Sequence, residues 1–582
     1  MIRLAQPIMI GWVRPTLDTN VHMARMSGKR ALMEQLIAED VRYIFGNPGT
    51  TEQGFMDIVQ DYPSVEFMLA LHEGVAVCMA DAYARLTRRP AFVELHIAPG
   101  LGNGLGMMHN ARIGKTPLVV YAGQSPSDVL LQEPHLSGPL VEMARPVAKW
   151  SAQVEHAHDI PRAVRRAFKI ASEPPQGPVF LALPMDVLDD EAEVDIAPTT
   201  YTNWHARPDR KGLECVAELL AAARKPMLMV GDSVALSNAQ SEVARVAELV
   251  GAPIFECYAS EFNISSRHPL NLGSVDFVTP KTIRSTLADC DVLFVVGAPV
   301  FQLIFPEPEA PVIGPETKLV QLDCYTHEIG KNVRPDVALL GDPKAGLAEL
   351  AELLSERLTR DRAEAADERR RAAEASVASV HARYWAYVQK NWENTPISGP
   401  RLMHELKQVL PEDALVFAEG ITNSKHVEMA IAPERPGQLV KVRGGGIGPG
   451  LPGSLGAALA RPDQKVVGIC SDGAAMYSIS ALWTAAHHRI PVTYIMLSNR
   501  AYRILKLNML EYLGEAARGR EFVAMDLDQP ELRFDRMAES MGVPARRVER
   551  PEDLAPVLRE AVCHRGGPFL VDVVLESPIP GR

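Results

Sequence analysis

Two short segments near the C-terminus carry oxygen atoms that could hold a hard cation. Asp472-Gly473 closes the apolar run KVVGICSDG and Ser498-Asn499 closes VTYIML, so a carboxylate and an amide stand at the ends of two predicted parallel strands. Such strand ends are where open α/β sheets bind ligands. One carboxylate oxygen plus one amide oxygen suits Mg2+, which keeps water and takes further ligands from phosphate, so the pair predicts a metal-bridged diphosphate. Asp and Asn are equally ordinary as a helix cap and a turn residue, and that reading stands beside the metal one. Just upstream, GGGIGPGLPGSLGAALARPDQKVVGICSD holds G-x-G-x-x-G at Gly448, Gly450 and Gly453, between a strand and a helix, with Asp472 19 residues further on. That is the outline of a dinucleotide site for NAD. Against it, Pro452 opens the helix where a pyrophosphate would approach, and Pro449 also lies in the loop. Glycine loops of this kind also arise where a helix packs tightly on a sheet.

Two further residues could move protons. Glu73, in LHEGVAVCMADAYAR, begins an apolar helix, and His96, in FVELHIAPG, ends a strand. A helix N-terminus favours a carboxylate through its dipole alone. A strand-end imidazole is often a satisfied core residue, yet it is also the side chain best suited to relaying protons near neutral pH.

These residues need a scaffold of alternating strands and helices, and the chain supplies one three times over. From Ser27 onward, helix-period segments alternate with short β-branched runs (VRYIFG, AFVELH, PLVVYAG), the pattern of βαβ units on a parallel sheet. Ser27 is a predicted N-cap, as is Ser125 with Pro126 at the first helical position. A second series (PMLMVGD, APIFEC, DVLFVVGAPV, KLVQLDC) and a third (ALVFAEG, QLVKV, KVVGICSDG, VTYIMLSN, PFLVDVVL) follow. The expected organisation is α/β, with three doubly wound parallel sheets. Residues 1–25 read as an extension, 26–195 as the first domain, and the stretch DDEAEVDIAPTTYTNW at its end as a linker. Residues 196–355 read as the middle domain, 356–395 as a charged helical linker, and 396–582 as the third domain. With 582 residues, 47% apolar and 23% charged, the chain has ample material for such cores. A formal charge of −12 argues against a phosphate-backbone binder, so nucleic acid is not an expected partner. Seven cysteines without a C-x-x-C pair read as reduced thiols in the cytoplasm, and no apolar run is long enough for a membrane span.

The stretch SDGAAMYSISALWTAAHHRIPVTYIMLSNRAY resembles the thiamine-diphosphate motif, which begins Gly-Asp-Gly and ends Asn-Asn some 30 residues later. The resemblance runs from Ser27 to the C-terminus, through FGNPGTTE, LALHEGVAVCMADAYAR, LHIAPGLGN, YAGQ, PPQGPVFLALP and VVGAPVF. It is closest to benzoylformate decarboxylase, then to acetolactate synthase. It implies pyrimidine-binding, middle and diphosphate-binding domains, and thiamine diphosphate with Mg2+ as cofactors. The metal would be held by Asp472, Asn499 and the carbonyl of Ala501. Ser471 and Ser498 depart from the motif at positions that are not ligands. Glu73 is implied to share a proton with the aminopyrimidine across the interface of a homodimer or homotetramer. Ile447 is implied to be the apolar wedge that bends the cofactor, with Thr422 and Asn423 on the diphosphate and Tyr502 beside it. Gly446, Gly473 and Ala474, within the matching motifs, are read as further cofactor contacts. His96 matches an acid/base of the decarboxylase, and Thr50 the position of a serine that contacts the substrate carboxylate. Ile304, in APVFQLIF, stands where that decarboxylase carries a second catalytic histidine, which puts benzoylformate in doubt as the substrate. The expected activity is cleavage or formation of a carbon–carbon bond on a 2-oxo acid, the partners being that acid and, for formation, a second carbonyl compound. The rivals are an NAD-dependent oxidoreductase and a cofactor-binding scaffold without activity, and occupancy of the middle domain by FAD stays open.

Overall fold

Apolar runs such as AFVEL, LVVYAGQ and VTYIMLS become strands buried along their whole length. Strands of that kind need helices on both faces, which is the condition of a parallel sheet. In the computed structural model, which describes residues 22–258, 260–274, 280–307 and 311–579, they assemble into three six-stranded sheets. The described residues divide into two units. One comprises those up to Leu69 together with Arg89–Asn203, and the other Ala70–Arg88 together with those from Trp204 onward.

The first unit contains β1 (His22–Ser27), β2 (Tyr43–Gly46), β3 (Glu66–Leu69), β4 (Ala91–Leu95), β5 (Leu118–Gln124), β6 (Ser151–Gln153), β7 (Val179–Pro184) and β8 (Glu191–Ile196). Its parallel sheet runs in the order β3-β2-β4-β5-β7-β6. Helices Gly28–Ala38 and Ile160–Ser172 bury Leu32, Leu36, Ile160, Val164 and Phe168 in a core with Phe55, Phe92 and Tyr121. Residues 22–25, expected to be part of an extension, belong to β1, which pairs antiparallel with β8 from His22 opposite Ile196 to Ser27 opposite Glu191. The expected linker likewise begins as a strand. Neither segment has the apolar run of a core strand, so only the pairing partner makes it one. The remainder of the expected extension, residues 1–21, lies outside the described residues. Ser125 does not cap a helix: a 3-10 turn starts later, at Ser127, and the Ser125 N–H donates to Gln124 Oε1.

The second unit holds two sheets. One contains β9 (Pro226–Val230), β10 (Ile254–Glu256), β11 (Asn271–Ser274), β12 (Val292–Val296), β13 (Lys318–Asp323) and β14 (Val337–Leu340) in the order β11-β10-β9-β12-β13-β14. The other contains β15 (Leu415–Glu419), β16 (Leu439–Lys441), β17 (Val466–Ser471), β18 (Val492–Ser498), β19 (Ala545–Val548) and β20 (Phe569–Val574) in the order β16-β15-β17-β18-β20-β19. Helix Arg360–Lys390 connects them and buries only Ala366, Ala373 and Val388, as its mixed charge requires. Among the described residues, no helix is long and apolar enough to cross a membrane.

All three parallel sheets share one topological feature. The first strand of each (β2, β9, β15) has neighbours on both sides, so successive connections leave in opposite directions and open a crevice at the C-terminal strand ends. Ligands of doubly wound sheets bind at that switch point.

Candidate functional site

At the switch point of the third sheet, β15 and β17 are neighbours and β18 lies next to β17, with Ser471 opposite Leu497. That register brings Asp472 and Asn499, which follow β17 and β18, to one end of the sheet. Both are buried, at 3% and 6% exposure. Asp472 Oδ1 accepts the Gly473 N–H at 2.8 Å and Oδ2 the Arg500 N–H at 2.6 Å, while Asn499 Oδ1 accepts the Ala501 N–H at 3.0 Å. Burial pushes the Asp472 carboxyl up to about 6. The two N–H bonds offset part of that, and the nearby Asp572 carboxylate adds to it. A buried carboxylate held only by uncharged donors, beside an amide oxygen, fits a divalent cation that bridges a diphosphate. Ser498, one of the departures from the family motif, donates to Asp572 at 2.5 Å beneath this end, and Ser471, the other, donates to the Glu419 carbonyl at 3.0 Å. Tyr502 is anchored by its N–H on the Met525 carbonyl at 2.9 Å, and the Ala474 carbonyl accepts the Tyr477 N–H at 3.1 Å. Thr422 and Asn423 lie in a short 3-10 turn directly after β15, on the other side of the crevice.

Sequence reasoning missed Glu419, the last residue of β15. It is fully buried, and its two oxygens accept the N–H groups of Gly448 at 2.7 Å and Gly450 at 2.8 Å. Burial pushes its carboxyl up to about 7 despite those bonds. The loop carrying Gly446 and Ile447 is therefore pinned from below by a carboxyl of the chain itself, which overturns the dinucleotide reading. The N–H groups that would cradle a pyrophosphate face Glu419, and a Cβ on Gly453 would lie 2.3 Å from Cζ of Phe417. The signal available beforehand was an acidic residue inside the otherwise apolar run ALVFAEG.

Glu73 opens helix Glu73–Thr87, which belongs to the same unit and is buried on nearly every side. His72 caps it, its Nδ1 accepting the Gly74 N–H at 3.0 Å. The helix packs against helix Gly450–Ala460, where a Cβ on Gly456 would lie 2.0 Å from the Met79 carbonyl oxygen, so only glycine allows the approach. Glu73 itself is buried, at 6% exposure.

In the first unit the switch point lies between β2 and β4, and the residues that follow those strands meet there. His96 Nδ1 lies 2.8 Å from Glu52 Oε2, and Glu52 also accepts the N–H groups of Gly49 at 3.1 Å and Gly123 at 2.9 Å and the Thr51 hydroxyl at 2.6 Å. With the carboxylate as acceptor the ring hydrogen sits on Nδ1 and the lone pair on Nε2. Gly49 lets the ring lie against the backbone, since a Cβ there would sit 2.1 Å from Nδ1. Thr50 is exposed, and the Thr51 hydroxyl lies 3.4 Å from His96 Nδ1. Glu52 and Thr51 went unnoticed in NPGTTE because the partner of a carboxylate 44 residues away in the chain is set by strand order alone. Ile304, after β12 in the second unit, is 51% exposed, as is Phe305.

Three doubly wound parallel sheets, each with a crevice at its switch point, define a multidomain α/β architecture that binds ligands at strand ends. Residues 26–138 match the N-terminal TPP binding domain of thiamine pyrophosphate enzymes, 213–350 the central domain, and 422–573 the C-terminal TPP binding domain. The chain belongs to the thiamine pyrophosphate enzyme family and uses thiamine diphosphate. It is 32% identical over 547 residues to benzoylformate decarboxylase of Pseudomonas aeruginosa, covering 92% of this chain and 96% of that one. It is 27% identical to a probable acetolactate synthase large subunit of Methanococcus aeolicus, covering 95% and 92%. Among solved structures it is similar to the thiamine diphosphate-dependent 4-hydroxybenzoylformate decarboxylase of Rhodococcus jostii RHA1, at 26% identity and a TM-score of 0.81 over 95% of this chain and 100% of that one. The activity is thus that of a 2-oxo acid decarboxylase or an acetolactate synthase-like enzyme.

Proposed function

We propose that the protein is a Mg2+-dependent, benzoylformate decarboxylase-like enzyme that releases carbon dioxide from a 2-oxo acid, assembled as a homodimer or homotetramer with each site shared between two copies. The observation that carries this reading is the Asp472–Asn499 pair: a buried carboxylate lacking a charged donor, next to an amide oxygen, at the ligand-binding end of a doubly wound sheet. Identity of 32% to a benzoylformate decarboxylase over nearly the whole chain supports it.

Thiamine diphosphate, when bound, supplies the acidic carbon that adds to the 2-oxo group and the electron sink for the pair left behind when carbon dioxide departs. Asp472, Asn499 and the Ala501 carbonyl would hold the cation. Gly446, Ile447, Thr422, Asn423, Gly473, Ala474 and Tyr502 would line the cofactor. Glu73 is assigned the proton shared with the aminopyrimidine ring, and His96, oriented by Glu52, the proton exchanged with substrate through Nε2. Thr50 is assigned to the substrate carboxylate. A second reading, a carboligase, is favoured by Ile304: an apolar side chain where the decarboxylase has a proton-relaying histidine gives a second carbonyl compound time to react. Reconstitution of apo-protein with thiamine diphosphate and Mg2+, followed by a screen of 2-oxo acids for carbon dioxide, aldehyde and acyloin, tests both. Absence of carbon dioxide release from aryl and alkyl 2-oxo acids alike would refute them together.

A further inference from the structure

The middle sheet has the same kind of crevice as the third, between the ends of β9 and β12, and no cofactor contact named above uses it. The chain itself fills it. Arg443 Nη2 lies 2.6 Å from Oδ2 of Asp232, which follows Gly231 at the end of β9, and Nη1 lies 3.0 Å from Glu261 Oε1. The same Glu261 oxygen is 2.7 Å from Arg85 Nε, and the Glu261 N–H donates to Asp232 Oδ1 at 3.1 Å. Arg85 Nη2 also donates to the Lys441 carbonyl at 2.9 Å, and Arg88 Nη1 to the Ala235 carbonyl at 2.8 Å. Deeper in the crevice the Ser233 hydroxyl donates to Asp323 at 2.7 Å, and Asp323 also accepts the Tyr325 N–H at 3.0 Å. The Arg85 and Arg443 side chains are only 4% and 10% exposed.

The location of the anchors gives this cluster a purpose. Lys441 ends β16 and Arg443 immediately precedes Gly444, so both stand at the base of the loop that carries Gly446 and Ile447. Gly444 and Gly445 adopt φ of +86° and +90°, so the loop is built from residues with little stiffness of their own, and its base must be held from outside. Glu419 holds the far end through Gly448 and Gly450. We propose that Asp232 and Glu261 are positioning residues for the cofactor loop: they use the crevice of the middle sheet to clamp Arg443, and through it fix Gly446 and Ile447. This rests on the reading of those two residues as cofactor contacts.

The test compares wild type with Glu261→Gln, Asp232→Asn and the double variant Glu261→Gln/Arg443→Met, which removes both members of the Arg443–Glu261 pair and leaves Arg85 with Asp81, 3.7 Å away, as its carboxylate. Two quantities are measured: amide hydrogen exchange of residues 444–448 in cofactor-free protein, and the Kd for thiamine diphosphate at fixed Mg2+. Exchange in the loop is expected to rise tenfold or more in each single variant while β12 and β17 keep their protection, and Kd to rise about tenfold. The double variant should be no worse than Glu261→Gln. Unchanged loop exchange in both single variants would overturn the proposal, and so would faster exchange with an unaltered Kd. Ile447→Ala, measured alongside, separates the two levels. If it too leaves Kd unaltered, the cofactor reading of the loop has failed; if it raises Kd, only the clamp has. Thermal stabilisation of wild type by added FAD or NAD would likewise count against a crevice closed by the chain itself.

Discussion

Replacing Glu419 by Gln should change the sign of its effect on stability as pH rises. The Glu419 carboxyl is raised from 4.5 to about 7, because burial disfavours the charged form more than two backbone N–H groups favour it. A folded-state value above the unfolded one means that its stabilisation is fully present below pH 4.5 and is lost as pH rises through 7. At 1.36 kcal/mol per unit the full swing is about 3 kcal/mol, of which about 2.5 kcal/mol falls between pH 5 and pH 8. Gln cannot titrate, so that swing is absent from the variant. Its amide also keeps only one acceptor for two N–H donors, a pH-independent loss of about 1–2 kcal/mol. The variant should therefore be less stable than wild type at pH 5 and equal or more stable at pH 8. Hydrogen exchange of β17 amides in cofactor-free protein measures this for the third domain, and comparing the two proteins at each pH cancels the intrinsic rate. The protection ratio of variant to wild type should rise between pH 5 and pH 8 by a factor of roughly 50–100. A ratio that stays flat across that range would refute the claim that a buried, uncompensated carboxyl pins the glycine loop.

Asp472→Ala should abolish Mg2+-dependent retention of thiamine diphosphate and Asn499→Ala weaken it less, since only the former removes a charge; equal affinity in the Asp472 variant, by titration at one Mg2+ concentration, would remove the metal assignment. Glu73→Gln should keep fold and cofactor binding yet slow hydrogen–deuterium exchange at the reactive carbon of bound thiamine diphosphate by orders of magnitude, as followed by NMR. Ile304→His should raise the aldehyde-to-acyloin ratio with an accepted 2-oxo acid, and His96→Ala should lower turnover about 10²–10⁴-fold in both backgrounds; an unchanged product ratio at full cofactor occupancy would detach Ile304 from product choice. Gly456→Ala forces a methyl against the Met79 carbonyl and should cost about 1–3 kcal/mol or more, read as a lower melting temperature.

The three parallel sheets could be read from the sequence because strands buried on both faces must be predominantly apolar, and β4, β5, β7, β17, β18 and β20 are, with Glu94 in β4 and Asp572 in β20 as the charged exceptions. The positions of Asp472, Asn499 and His96 followed from the same rule, since each directly follows such a run and strand ends are where a doubly wound sheet meets its ligand; Thr422 was placed only by the family resemblance. Segments without that signal were not legible. β1 and β8 are short and partly polar, and each is a strand only because the other lies beside it. The partners of buried charges were hidden for the same reason. Glu52 meets His96, Glu419 meets Gly448 and Gly450, and Glu261 meets Arg85 and Arg443 across separations of 29 residues in the nearest case and 182 in the farthest. Periodicity along a chain encodes which face of an element is buried. Which charge neutralises which, and which glycine admits a neighbouring helix, depend on strand order and close packing between elements distant in sequence, and only the tertiary structure decides them.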